Sequence, residues 1–303
     1  MLASAISSIL SWFDSSRPAG NRERGVDWLR IVPFVGLHLA CLAVFWVGVS
    51  PIALAVALAA YLVRMFAITA FYHRYFAHRA FRTSRPVQFL FALIGAAATQ
   101  RGPLWWAAHH RNHHRFADTP EDPHRPEDGF WWSHVGWFLS GVHFQADESR
   151  VADWRKYPEL VWLDRFDLVV PVFFAVGMFA LGGALQLWWP ALDTSAWQML
   201  VWGYFVSTVV LIHATLLVNS LAHRRGKRRF ETADASRNNL FIALLTLGEG
   251  WHNNHHRYAG SARQGFYWWQ LDVSYYVLKI MGWLGVVWDL RAVPERVLAE
   301  GRR

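Results

Sequence analysis

One cysteine, Cys41, is present in this chain of 303 residues, and it lies inside an apolar run. A single thiol excludes both a disulfide framework and a thiolate metal site. Charge is also scarce, at 17% of residues, and long stretches carry none. From residue 31 to 63 there is no Lys, Arg, Asp or Glu. As one helix that run would reach about 50 Å, against the ~30 Å of a hydrocarbon core. Residues 168–192 and 194–222 are equally bare, with Asp193 alone between them. The N-terminus has no basic segment ahead of its first apolar residues, so it makes a poor signal peptide. Ile6, Ile9, Leu10 and Phe13 recur there at helical spacing, which fits a short interfacial helix or a disordered tail.

Apolar and aromatic residues fill the space that charge leaves. Hydrophobic residues make up 54% and aromatics 16%, with 19 Trp. An ordinary soluble enzyme is neither so apolar nor so rich in Trp. The mean hydropathy of only +0.14 requires a water-exposed part as well. Several membrane spans plus a polar region fit both numbers, and Trp favours the headgroup level. The formal net charge is +8. Because the basic residues flank apolar runs, they read as the cytoplasmic ends of spans and not as a nucleic-acid surface.

Gly48, Ser50 and Pro51 interrupt the first run, which predicts a hairpin of spans 31–49 and 52–71. Pro190 and Asp193 mark the turn of a second hairpin. The expected fold is an all-α integral membrane protein with four transmembrane helices in two hairpins and a cytoplasmic helical domain carrying a histidine-rich dimetal site. Its parts would be an N-terminal cytoplasmic or interfacial segment 1–30 and hairpins 31–71 and 168–222. The cytoplasmic regions would be 72–167 and 223–303. Neither hairpin turn carries Lys or Arg, whereas Arg22, Arg24 and Arg30 precede the first span and Arg224, Arg225, Lys227, Arg228 and Arg229 follow the last. The positive-inside rule therefore places those ends in the cytoplasm. Weaker apolar stretches at 87–99, 240–247 and 266–288 read as helices on the membrane or within the cytoplasmic domain. The loop 117–129, ADTPEDPHRPEDG, is rich in Pro and acid and reads as irregular.

Nine histidines fall in four clusters, all on the cytoplasmic side of that topology. They are His73 and His78 in HRYFAH, His110, His113 and His114 in HRNHH, His223 in NSLAH, and His252, His255 and His256 in HNNHH. Neutral imidazole is a good ligand for Fe, Zn, Cu and Ni. In each pentad the first and last histidines share a helix face and the fourth is displaced around the axis. Nine nitrogens exceed what one ion can take and divide naturally between two. Glu-x-x-His spacing occurs at Glu121–His124 and Glu249–His252, but Pro123 and Gly250 interrupt both, so the ligands read as histidine alone with Glu249 behind them. Isolated His38, His143 and His213 read as interfacial or core residues, and His109 as incidental to its cluster. A metal transporter would place its ligands near mid-membrane, where only His38 and His213 are candidates.

HRYFAH, HHRNHHRF, DPHRPEDGFWWSHVGW, NSLAHRRGKRRF and GEGWHNNHH occur in this order. With these motifs the chain, from about residue 31 to 288, resembles the membrane fatty-acid desaturases, in the acyl-CoA Δ9 (stearoyl-CoA-type) branch and its short bacterial form. The resemblance implies an O2-dependent diiron centre that places a cis double bond in a saturated acyl chain. It implies that His73, His78, His110, His114 and His255 hold one iron and that His113, His223, His252 and His256 hold the other. Asn219 would reach the second iron through a water. His124 and His134 lie in family motifs without being implied ligands. A related hydroxylase on the same scaffold is the nearest alternative. The substrate would be a long-chain acyl thioester or lipid. With no flavin, nicotinamide or cytochrome b5-like segment in the sequence, electrons would come from a separate ferredoxin, cytochrome b5-like protein or flavin reductase. The expected location is the cytoplasmic membrane. Arg74, Arg79, Arg82, Arg85 and Arg101, around the first box, are candidates for a coenzyme A or carrier headgroup or for anionic lipid.

Overall fold

The computed structural model describes residues 9–10, 12–16, 25–28 and 31–302. Most of segment 1–30, including Ile6, Arg22, Arg24 and Arg30, lies outside the described residues. The fold is mainly helical. Its elements relevant here are α1 (Ile31–Cys41), α2 (Pro51–Ala77), α3 (Arg85–Ala96), α4 (Pro103–Phe116), α5 (Pro158–Arg165), α6 (Val169–Trp188), α7 (Ala196–Ser220), α8 (Leu240–Leu245), α9 (His252–Arg257) and α10 (Val273–Trp283).

Three of these, α2, α6 and α7, are long and apolar enough to cross a membrane. The first expected span is shorter. α1 ends at Cys41, residues 42–43 tighten to i→i+3 hydrogen bonds, and one more turn, Val44–Val47, completes the stretch. At 1.5 Å per residue, Ile31–Val47 extends about 25 Å, less than a ~30 Å hydrocarbon core. Gly48, at φ 66°, then turns the chain into α2, which Ser50 caps through Ala53 N–H at 3.3 Å. α6 and α7 form the second hairpin, across a turn at Pro190–Leu192. A Cβ at Gly182 would come within 2.5 Å of the Ser195 carbonyl, so only glycine lets the two helices approach there.

α2 outruns its expected end at residue 71. From Ala67 to Ala77 it widens into a π-helix, which carries His73. π-Helical segments occur frequently at functional sites. Phe71 on this segment stacks on Phe91 of α3 at 3.9 Å, and Leu160 and Leu163 of α5 are fully buried in the same core. Arg64, inside α2, does not snorkel. Its guanidinium donates to the carbonyls of Ala60 and Ala97 and to Ser207 Oγ and Thr208 Oγ1 of α7, and it lies 4.6 Å over the Phe174 ring. Hydrogen bonds and a ring face offset its desolvation.

The weaker apolar stretches form α3, α8 and α10. α10 has 11 residues and Asp272 at its N-cap, which accepts from Tyr275 N–H. That explains the charge inside an apolar run. A two-stranded ribbon, Arg82–Thr83 with Val287–Trp288, ties the chain after His78 to the C-terminal region.

Candidate metal centre

The clustered histidines come from four places in the fold. His73 is on the π-helical end of α2 and His78 follows it. α4 brings His110, His113 and His114, His223 lies three residues beyond α7, and α9 brings His252, His255 and His256. Gly250 permits the last of these to approach, because a Cβ there would meet Ala243 N at 2.1 Å.

The nitrogens sort into two groups. His73, His78, His110, His114 and His255 form one, and His113, His223, His252 and His256 the other; within each, the ring nitrogens lie within 4.8 Å of one another. His110 and His114, one turn apart, face the first group, while His113, rotated around the axis, faces the second. α9 does the reverse, with His252 and His256 in the second group and His255 in the first.

These contacts are not a satisfied hydrogen-bond network. His255 Nε2 lies 3.0 Å from His73 Nε2 and 2.8 Å from His114 Nε2. A ring nitrogen carries either one hydrogen or one lone pair, so it cannot serve both neighbours. His78 and His110 meet through Nε2 atoms at 2.8 Å, and His223 and His252 at 2.9 Å. Cations between the lone pairs would resolve the conflict.

Carboxylates fix the outward nitrogens. His113 Nδ1 lies 2.9 Å from Asp122, His223 Nδ1 3.0 Å from Asp118 and His256 Nδ1 2.9 Å from Asp234. His73 Nδ1 contacts Glu249, which also accepts from the Arg74 guanidinium at 3.0 Å. Each carboxylate holds its ring in the tautomer that leaves Nε2 free to face inward.

Electrostatics agree with that assignment for six of the rings. Burial, reinforced by neighbouring imidazoles, holds His78, His110, His114, His252 and His255 well below the usual histidine range. Burial also lowers His256 to about 4, with Asp234 opposing it. For His113 burial is outweighed by Asp122, and the net shift is upward. Buried Asp122 and Asp234 nonetheless remain well below the carboxylate range because of the imidazoles they face. Neutral imidazole is the form that binds metal. The donor set, all nitrogen and braced by carboxylates, fits two transition-metal ions.

Asn219, on the last turn of α7, lines two cavities. The larger is about 270 Å³ and is walled by residues including Trp105, Trp137 and Phe144. The smaller, about 40 Å³, reaches His73, His113 and His252. Both are lined by Trp106, His110, Thr215 and Asn219.

The other histidines stay out of the two groups. His109 and His124 line the larger cavity; His109 Nε2 and His124 Nδ1 have no hydrogen-bond partner among the described residues. His124 packs 4.3 Å from His113. His143 lies 6.0 Å from the His109 ring. His38, His213 and His134 hydrogen-bond in series. The sequence pattern missed Asp118, Asp122 and Asp234. Glu121, in the same loop, caps Thr119 at an exposed position instead.

The fold thus defines a helical protein with three membrane-length helices and a histidine-lined centre compatible with metal at the polar end of α2 and α7. The fatty acid desaturase family profile matches residues 48–280. The chain is 36% identical over 303 aligned residues to an acyl-CoA 5-desaturase of Anemone leveillei, covering 93% of this chain and 88% of that one. It is 36% identical over 286 residues to an sn-1 stearoyl-lipid 9-desaturase of Synechocystis sp., covering 90% and 82%. A chloroplastic palmitoyl-monogalactosyldiacylglycerol delta-7 desaturase of Arabidopsis thaliana is 37% identical over 280 residues, covering 90% and 71%. The chain belongs to the fatty acid desaturase family, whose members are membrane-bound.

Proposed function

We propose that this chain is an O2-dependent diiron desaturase that places a cis double bond, at Δ9, in a saturated long-chain acyl group. His73, His78, His110, His114 and His255 hold one iron and His113, His223, His252 and His256 the other, with Asn219 reaching the second through a water. Two irons there supply the O2 chemistry needed to oxidise an unactivated methylene, which side-chain acid–base chemistry cannot do.

The observation that carries the reading is that the two cavities share Trp106, His110, Thr215 and Asn219 in their walls. An acyl chain extending from the larger into the smaller passes Trp106, His110, Thr215 and Asn219, which presents one stretch of methylenes to the histidine groups. Gln100 donates to Thr215 Oγ1 at 3.1 Å on that path. The protein's contribution is position: apolar walls exclude water and fix which carbons face the metals. The four histidine clusters lie on the cytoplasmic face, with α1 and Val44–Val47 as the first of four spans and electrons arriving from a separate ferredoxin, cytochrome b5-like or flavin protein.

For the acyl carrier, the sequence resemblance favours coenzyme A, while the relatives' names include both acyl-CoA and acyl-lipid enzymes. The arginines around the first box favour lipid. Arg74, Arg79, Arg82, Arg85 and Arg101 each pair with a carboxylate, respectively Asp272, Asp153, Asp289, Glu159 and Asp167.

Expression with an electron donor in a host lacking its own desaturase tests the reading. Gas chromatography–mass spectrometry should find new cis-Δ9 chains. Hydroxylated chains would replace the assignment with a hydroxylase, and no new product would overturn it. His113→Ala or His255→Ala should abolish the product and lower bound iron while leaving membrane insertion intact.

A further inference from the structure

We propose that α1 is a lateral gate, latched by a chain of three histidines, through which the acyl chain of a bilayer lipid enters the larger cavity. This deepens the desaturase reading and rests on it for the substrate's chemistry.

α1 is a thin wall. Phe34 and Leu37 line the cavity on one face, while Val32, Val35 and Leu39 are exposed on the other. None of its residues is buried. Its packing is one-sided, against the first half of α7 and the Phe138 ring. Among the described residues, one side-chain hydrogen bond joins α1 to the rest of the protein, His38 Nε2 to His213 Nε2 at 2.8 Å.

The direction of that bond follows from its neighbours. His38 Nδ1 lies 2.7 Å from the Phe34 carbonyl, which only accepts, so Nδ1 carries the hydrogen and Nε2 of the neutral ring accepts from His213. His213 Nδ1 also lies 2.9 Å from His134 Nε2, and His134 Nδ1 lies 2.9 Å from Ser220 Oγ, whose hydroxyl donates to the Leu216 carbonyl at 3.0 Å. The latch is thereby anchored on α7 and on the Trp132–Gly136 turn. A lone imidazole in hydrocarbon disfavours the open state, yet an intramembrane hydrogen bond is weak enough to be reversed. Residues 42–43 tighten to i→i+3 hydrogen bonds, which gives α1 a place to bend, while Gln198 and Trp202 of α7 hold the carbonyls of Val47 and Gly48 beyond it.

The cavity's chemistry selects the occupant. Among the described residues Arg101 is the one Lys or Arg lining it, and Asp167 already pairs with that side chain at 2.7 Å. A coenzyme A headgroup carries several phosphates and finds no unpaired cation among the described residues of that lining. An acyl chain still esterified to a lipid needs none.

The test uses the full chain in phosphatidylcholine vesicles doped with a phosphatidylcholine that carries a diazirine on one saturated chain. Labelling needs no turnover. Light should attach the probe to Trp106 and Thr215. In a Cys41→Ser, Phe34→Cys, Phe138→Cys protein, a short thiol cross-linker can tie α1 shut, since the two Phe rings lie 5.6 Å apart. Cross-linking should reduce the inner label to background and leave labelling of the outer face unchanged. His213→Leu should raise the inner label about three- to tenfold, the range such a hydrogen bond is worth. Inner labelling indifferent to both changes overturns the gate, as does a cavity labelled by a diazirine acyl-CoA from water and not by the lipid. If the cysteine variant fails to fold, His213→Leu against the unaltered chain decides alone. Product analysis on the same preparation, by gas chromatography–mass spectrometry, reports separately on the desaturase reading.

Discussion

Asp122 binds two parts of the site together. Its carboxylate meets His113 Nδ1 at 2.9 Å and accepts from the backbone N–H groups of Asp118 and His124. It fixes the loop and the ring in one geometry. Asp122→Asn keeps the volume but removes the charge behind His113, so iron affinity should fall about 10–100-fold, measured by chelator competition. Glu121→Ala, one residue away and exposed, should leave it unchanged. The histidines were legible because ligand spacing on helices repeats within a few residues. Asp118, Asp122 and Asp234 were not. They sit in irregular acidic loops where many carboxylates look alike, and only the fold selects those that reach an imidazole. His38 and His213 read as isolated residues for a similar reason: 175 positions separate two rings that touch.

α4 carries three of the histidines, so its start decides where they point. Asp164, from α5, caps it by accepting from Leu104 N–H at 3.0 Å and Trp105 N–H at 2.8 Å. A Cβ at Gly102 would lie 2.3 Å from that carboxylate, which is why glycine precedes the helix. Burial pushes the Asp164 carboxyl up to about 6, against the pull of those N–H groups and Arg101. The pKa is raised on folding, so the folded state binds the proton more tightly. Asp164 then contributes most stability below about pH 4, and loses it as pH rises to about 6. Thermal unfolding of the purified protein across that window should show the downward slope, and Asp164→Asn should remove it while keeping the cap. An unchanged slope in the variant would assign it to other groups. Helix existence was clear in the charge-free runs. Helix ends were less so, because the π-helical widening of α2 and the tightening after Cys41 depend on packing and not on local pattern.

Across the whole molecule, the nine histidines join chain segments as far apart as residues 73 and 256. Ions bound there tie these segments together only in the folded state and must stabilise it, by about 2.7 kcal/mol per site at a hundredfold excess over Kd. Stripping metal with a chelator should lower the melting temperature, and ferrous iron should restore it. An identical melting curve with and without iron would count against all nine residues as ligands.

The sequence by itself determined the helical membrane character, the second hairpin and which histidines cluster. Each rests on a local signal: absence of charge over a span's length, or ligands a helical turn apart. Tertiary structure decided the rest. It divided the imidazoles into five and four, chose the carboxylates that orient them, and matched the five arginines around the first box with acids. It also placed two cavities against His110 and linked His38 to His213. These are contacts between residues distant in the chain. They depend on how helices cross and where loops land, which local spacing does not encode.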